Sequence, residues 1–222
     1  MTTDDDSPSI ENLLANNVAW ARQVEADKPG FFKGLASQQA PHYLWIGCSD
    51  SRVPANEVVG LAPGELFVHR NVANLVQLAD LNCLAVTQFA IEVLKVNHIL
   101  LCGHYGCSGV GAALTGQRIG LAEHWIRPLR SLCEDYRAEL DALPDDDARH
   151  ARLCELNVLR QSRNLMHTQV VQDSWARGQP LAIHPVIYGL KDGLLRQLTD
   201  PIISSAQGVA LLHARGVENS DF

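Results

Sequence analysis

The sequence has no apolar run approaching the ~18 residues of a membrane-spanning helix, which excludes such a span. It also lacks basic excess: 18 Lys and Arg stand against 25 Asp and Glu, a formal charge of −7. A chain this acidic carries no electrostatic footprint for nucleic acid or an anionic membrane as its main partner. The opening Met1-Thr2-Thr3-Asp4-Asp5-Asp6 has neither the basic nor the apolar region of an export signal, and transit peptides are poor in acids. The expected compartment is therefore cytoplasmic. There is no internal repeat and no low-complexity linker. With 46% apolar and 19% charged residues the 222-residue chain can bury a sizeable core and is not disordered. One domain is expected over 1–222: a helical arm at 8–40, a core at 41–199 and a tail at 200–222. Cysteines stand at 48, 83, 102, 107, 133 and 154. Without an export signal they read as core thiols, metal ligands or catalysts, not as a disulfide framework.

Ile10, Leu13, Leu14, Val18 and Ala21 recur at helical spacing, and a second amphipathic piece runs from Phe31 to Ser37. At Tyr43 the pattern changes. Tyr43-Leu44-Trp45-Ile46 predicts a buried strand running into a loop at Gly47-Cys48-Ser49-Asp50. Glu65–His69, after the Pro63-Gly64 turn, predicts a second strand. A long helix is expected over 79–96, a third strand at His98–Cys102, then a Gly-rich loop at Gly103–Gly111 opening a helix. Two more helices are expected at 121–141 and about 147–178, divided by Pro144-Asp145-Asp146-Asp147, whose acids suit a helix start. Leu181–Tyr188 predicts a fourth strand. Pro185 inside it argues for an edge strand, or for one that begins after the proline. After a turn at Lys191-Asp192-Gly193, Leu194–Leu198 predicts a short fifth. Strands alternating with helices imply an α/β fold: a mostly parallel sheet of four strands plus a short fifth, flanked by helices.

The chemistry sits at two predicted strand ends, Cys48-Ser49-Asp50-Ser51-Arg52 and Gly103-His104-Tyr105-Gly106-Cys107. Sites in parallel α/β sheets form outside the carboxyl ends of strands. If strands 1 and 3 are neighbours, Cys48, His104 and Cys107 converge, and two thiolates with an imidazole make a tetrahedral zinc set with one open position. Cys102 competes for a ligand role, but its place in the strand body suits a packed thiol. The glycines at 103, 106, 109 and 111 match neither GxGxxG nor a P-loop, since no Gly-Lys-Ser/Thr follows.

Three segments resemble β-class carbonic anhydrases, particularly the bacterial branch: Tyr43–Pro54, Gly64–Asn74 and Cys102–Gly109. With the region around Tyr188, the likeness spans most of 10–195. The resemblance implies reversible hydration of carbon dioxide to bicarbonate and a proton by hydroxide held on zinc. It implies zinc on Cys48, His104 and Cys107, and a catalytic pair, Asp50 and Arg52, with Asp50 able to become a fourth ligand in a closed state. It implies substrate contacts from Gln39 and Phe89. In one branch of the family a Trp, an Arg and a Tyr hold an inhibitory bicarbonate beside the metal; Trp45, Arg70 and Tyr188 stand at the matching positions. Ser108 departs from the glycine of many members. The resemblance further implies a homodimer or tetramer, with residues 8–40 wrapping a neighbour. Two alternatives remain: hydrolysis of carbon disulfide or carbonyl sulfide on the same scaffold, and a non-catalytic zinc or bicarbonate-binding protein. The intact Asp50/Arg52 pair speaks against the second, because a structural zinc site is closed and needs no such pair.

Overall fold

The computed structural model describes residues 9–37 and 40–217. They form two compact units that divide between Gln39 and Ala40. The first unit is helical. Helix α1, Ile10–Asp27, starts at Ser9, whose side chain accepts the Asn12 N–H at 3.1 Å. Helix α2, Phe31–Ser37, returns an edge-on ring contact between Phe32 and Trp20, with centroids 5.5 Å apart. No residue of α1 is buried, and Ile10, Leu13, Leu14 and Val18 all lie exposed.

The second unit is built on a five-stranded sheet. Strands β1 (Tyr43–Cys48), β2 (Leu66–Asn71), β3 (His98–His104), β4 (Ala182–Tyr188) and β5 (Leu195–Gln197) lie in the order β2-β1-β3-β4-β5. The first four are parallel and β5 is antiparallel to β4. This is the expected architecture. Between the strands lie α3 (Ala55–Val59), α4 (Leu81–Gln88), α5 (Ser108–Thr115), α6 (Ala122–Trp125), α7 (Arg127–Asp135), α8 (Arg137–Asp141), α9 (Asp146–Met166) and α10 (Gln169–Ala176); α11 (Ser205–His213) follows β5.

Side chains alternate across a sheet, and registered residues of parallel strands share a face. One face presents Leu44, Ile46, Ile99, Leu101 and Ile183, all fully buried with Ile91, Leu159, Leu165, Met166, Val171 and Leu212. The other presents Trp45, Cys102, Val186 and Tyr188, packed with Ala55 of α3. Helix α9 closes the fold over the site. It starts at Asp145, which caps the Ala148 N–H at 2.8 Å, and its polar residues grip the turn after β2. Asn157 donates to the Ala73 carbonyl at 2.9 Å, Gln161 accepts from the Val76 N–H at 3.0 Å, and Asn164 donates to the Val76 carbonyl at 2.9 Å.

Several boundaries differ from expectation. The helix expected over 79–96 is α4 followed by one π turn, Phe89–Val93, ended near Lys95 at φ 58°. The 121–141 helix is three pieces, with a non-helical Ile126 before Pro128 and a break at Tyr136. The 147–178 helix breaks at Thr168, whose backbone is extended. Pro185 does not make β4 an edge strand, nor does β4 begin after it. Its carbonyl accepts the Leu198 N–H at 2.9 Å on the β5 side, so its missing N–H falls on the same side. There β5 has already ended, and the chain returns only at an Ile183–Ile202 bridge, so at most one bond is lost. Helices α3 and α11 were not expected from the pattern.

Candidate metal centre

Cys48 ends β1 and His104 ends β3, and these strands are neighbours. Cys107 follows three residues on, where the chain turns into α5. Gly106, at φ 72°, makes that turn. The ligand atoms of Cys48, His104 and Cys107 all lie within 4.8 Å of one another, and the three residues are buried. The two sulfurs are 3.6 Å apart.

The site's electrostatics favour thiolate. Cys48 is held below the ordinary thiol range, first by the Cys107 S–H and then by the Asp50 and Ala73 N–H groups, against the effect of burial. Those N–H groups reach its sulfur at 3.4 and 3.2 Å. Cys107, sharing its proton with that sulfur, is pushed up. The Ala73 donor is aimed by a left-handed turn, φ 64° at Ala73 and 48° at Asn74, which α9 clamps. His104 donates from Nδ1 to the Tyr105 carbonyl at 3.1 Å. That leaves Nε2 as the bare lone pair, and this atom is buried with no hydrogen-bond partner. A buried acceptor left alone beside two thiols suits a metal ion, with the imidazole oriented through its other nitrogen. Cys102 does not join this cluster. It lies in the body of β3, two residues before His104 and on the face opposite Cys48, donates to the Gly103 carbonyl at 3.2 Å, and burial pushes its thiol up.

Asp50 lies at the rim. Its Oδ1 faces Arg52 Nη2 at 3.5 Å, and its Oδ2 accepts both the Ser108 N–H at 3.0 Å and the Ser108 hydroxyl at 2.7 Å. Burial acts to raise its pKa, but the two Ser108 donors and Arg52 outweigh it and hold the carboxyl below its usual range. Arg52 is 60% exposed and itself sits at φ 60°. A second set, His69, Asp80 and Cys83, also has its ligand atoms within 4.8 Å. Asp80 there caps the start of α4 through the Asn82 N–H.

Residues 43–195 match the family model described as carbonic anhydrase. The chain belongs to the carbonic anhydrase family. It is 46% identical over 188 residues to a carbonic anhydrase of Emericella nidulans, covering 85% of this chain and 82% of that one. The β-carbonic anhydrase of Coccomyxa, solved with acetazolamide, superposes with a TM-score of 0.85 at 37% identity, over 95% of this chain and 97% of its own. A tetrameric β-carbonic anhydrase from the ascomycete Sordaria macrospora superposes with a TM-score of 0.82 at 39% identity, over 86% and 98%. This chain is thus a carbonic anhydrase of the β class. Two of these relatives are fungal, and they give the bacterial branch no support.

The other positions named by family likeness fall out as follows. Gln39 lies outside the described residues. Phe89 is 44% exposed, with its ring 5.9 Å from that of Phe67, and is not among the residues packed around the cysteine pair. Trp45, Arg70 and Tyr188 share one face of the sheet, with Gly47 standing between Arg70 and Cys102 in register. Trp45 Nε1 is buried without a partner, and a Cβ on Gly47 would lie 2.3 Å from it. Arg70 spends its guanidinium on the loop after β1: Nε and Nη2 donate to the Cys48 carbonyl at 2.9 and 2.6 Å, Nη1 to Val53 at 3.4 Å, and Nη2 also to the Ser51 hydroxyl.

Sequence reasoning missed two supports. Tyr105 donates to Glu155 of α9 at 2.8 Å, and His150 Nε2 donates to the Cys107 carbonyl at 2.9 Å. Both partners come from a helix more than forty residues away, and no local spacing announces such a contact.

Proposed function

We propose that this carbonic anhydrase hydrates carbon dioxide reversibly with zinc held by Cys48, His104 and Cys107. The observation that carries the reading is the lone buried Nε2 of His104 with the sulfurs of Cys48 and Cys107, the three ligand atoms within 4.8 Å of one another. The chemistry the ion supplies when held there is the acidification of water, which furnishes a nucleophile for carbon dioxide. Two thiolates and a neutral imidazole cancel the ion's charge, where three histidines would leave +2. The water proton is then held more tightly, and activity rises toward alkaline pH. Asp50, fixed by Arg52 and Ser108, supplies an ionised acceptor at the rim that orients the attacking group. The test is metal analysis with stopped-flow carbon dioxide hydration. One zinc per chain, activity abolished by chelation and restored by zinc, supports the reading. Full activity in protein stripped of metal sinks it.

Bicarbonate as an inhibitor is the finer reading, favoured by the unpartnered Trp45 Nε1. An anion beside Trp45 and Tyr188 competes for Arg70, whose present acceptors include the Ser51 hydroxyl and Val53 carbonyl. These flank Arg52, so the anion acts on the Asp50–Arg52 pair through the loop. Arg70→Ala is then expected to relieve bicarbonate inhibition; inhibition unchanged in that variant, with no anion beside Arg70 in crystals grown with bicarbonate, rejects it.

A further inference from the structure

Away from the cysteine pair, the same sheet carries two histidines with no part in the chemistry above. In register, Leu100 of β3 stands beside His184 of β4, and His98 is two residues earlier on the same face. His98 Nδ1 and His184 Nε2 are 3.1 Å apart, with a single proton between them. Tyr43 of β1 stacks on His98, centroids 5.4 Å apart and planes at 23°. The pair borders an open cavity of about 330 Å³, whose floor is Leu100 and Val186 and whose far wall is Leu195 and Gln197 of β5. Both histidines are half-buried.

The spacing fits an ion as well as it fits a proton. Two nitrogens in adjacent positions around a metal, each about 2.0–2.1 Å from it, lie about 2.9–3.4 Å apart. To aim at a common ion and not at each other, each ring tilts by about 40°, which follows from the same bond length. Both rings line the open cavity, the side from which an ion would enter. Burial, and then His98 itself, keep His184 below the ordinary histidine range, which favours neutral imidazole; on ligation the proton shared by the facing nitrogens passes to the outer nitrogen of the ring that carries it, leaving both facing lone pairs for the ion. Among the described residues no Asp, Glu, Lys or Arg lines the cavity, so there a bound ion meets neither a competing ammonium nor a neutralising carboxylate.

We propose that His98 and His184 form a second metal site, a two-imidazole chelate for a divalent transition ion of the nickel or copper type, with waters from the cavity filling the remaining positions. Two nitrogens and oxygen donors are the set those ions prefer, and a site with no thiolate does not select zinc over them. The ion would tie β3 to β4 at the end of the sheet opposite His104.

The probe is Ni2+, which does not oxidise thiols, added to the zinc-loaded enzyme and followed by calorimetry and thermal melting. One Ni2+ per chain beyond the zinc is expected, with a melting temperature that rises with Ni2+ concentration because the ion binds only the folded chain. His98→Ala and His184→Ala should each weaken Ni2+ binding by about tenfold or more, one lost ligand in a two-ligand chelate. His124→Ala, at an exposed histidine elsewhere, should leave it unchanged. Should an alanine variant melt early, His184→Gln keeps a polar side chain in the cavity and removes the imidazole. No nickel bound beyond the zinc, or equal binding by wild type and His184→Gln, overturns the proposal.

Discussion

Ser108 shows how much a single side chain sets at this rim. Its N–H and hydroxyl both go to one oxygen of Asp50, so the carboxylate is held at three points, not two. Ser108→Ala removes one charge-assisted bond, and turnover is expected to fall by about tenfold, with Ser108→Thr restoring it because the hydroxyl is kept. Equal losses in the two variants would assign Ser108 to packing alone. Asp50 and Arg52 act as a unit on the same grounds. Removing either should cost turnover and not zinc, and removing both should cost far less than the product of the single losses. Multiplicative losses in the double-mutant cycle would make them independent charges. For the metal itself, Cys48→Ser should lose most of the zinc while Cys102→Ser keeps it, measured by metal analysis; Cys102 sits in the strand body outside the cluster of ligand atoms, and the reverse order would refute the ligand set.

At the scale of elements, α9 carries the site from behind. It clamps the Ala73–Val76 turn, receives the Tyr105 hydroxyl, and sets Val158 where a Cβ on Gly103 would lie 2.4 Å from its Cγ2. Its start rests on the Asp145 cap, so Asp145→Ala should cost about 1 kcal/mol, read as a melting temperature lower by a few degrees with zinc content unchanged. No shift in the melt would mean that tertiary packing alone fixes this end. The strands were legible in the sequence because each is a short apolar run between turn residues, and Cys48, His104 and Cys107 because they stand where those runs end. Helix breaks at Tyr136 and Thr168 were not legible, since neither residue forbids helix; the packing of α7 to α10 decides them. Pro185 misled because the rule against proline in inner strands assumes a partner along the whole strand, and β5 is only three residues long. The grip of α9 on the metal loop was hidden for a related reason: hydrogen bonds between remote segments leave no periodic mark.

For the molecule as a whole, the arm carries an exposed apolar face. Helix α1 exposes Ile10, Leu13, Leu14, Val18 and Trp20. Contiguous apolar faces of this kind mark association. Sedimentation at micromolar concentration is expected to show a dimer or larger, and removal of residues 1–37 to weaken it; a fully active monomer would contradict the expectation. The order of the strands has another consequence, one of timing. The parallel neighbours β1 and β3 are separated by α3, β2 and α4, so Cys48 and Cys107 stand 59 residues apart in the chain. At about 5–20 residues per second on the ribosome, the first thiol emerges roughly 3–12 s before the last one it needs. On the proposed ligand set, metal capture waits until the middle of the chain has been made: it cannot precede the emergence of Cys107, and a nascent chain stalled or truncated before that residue would lack a ligand for the ion.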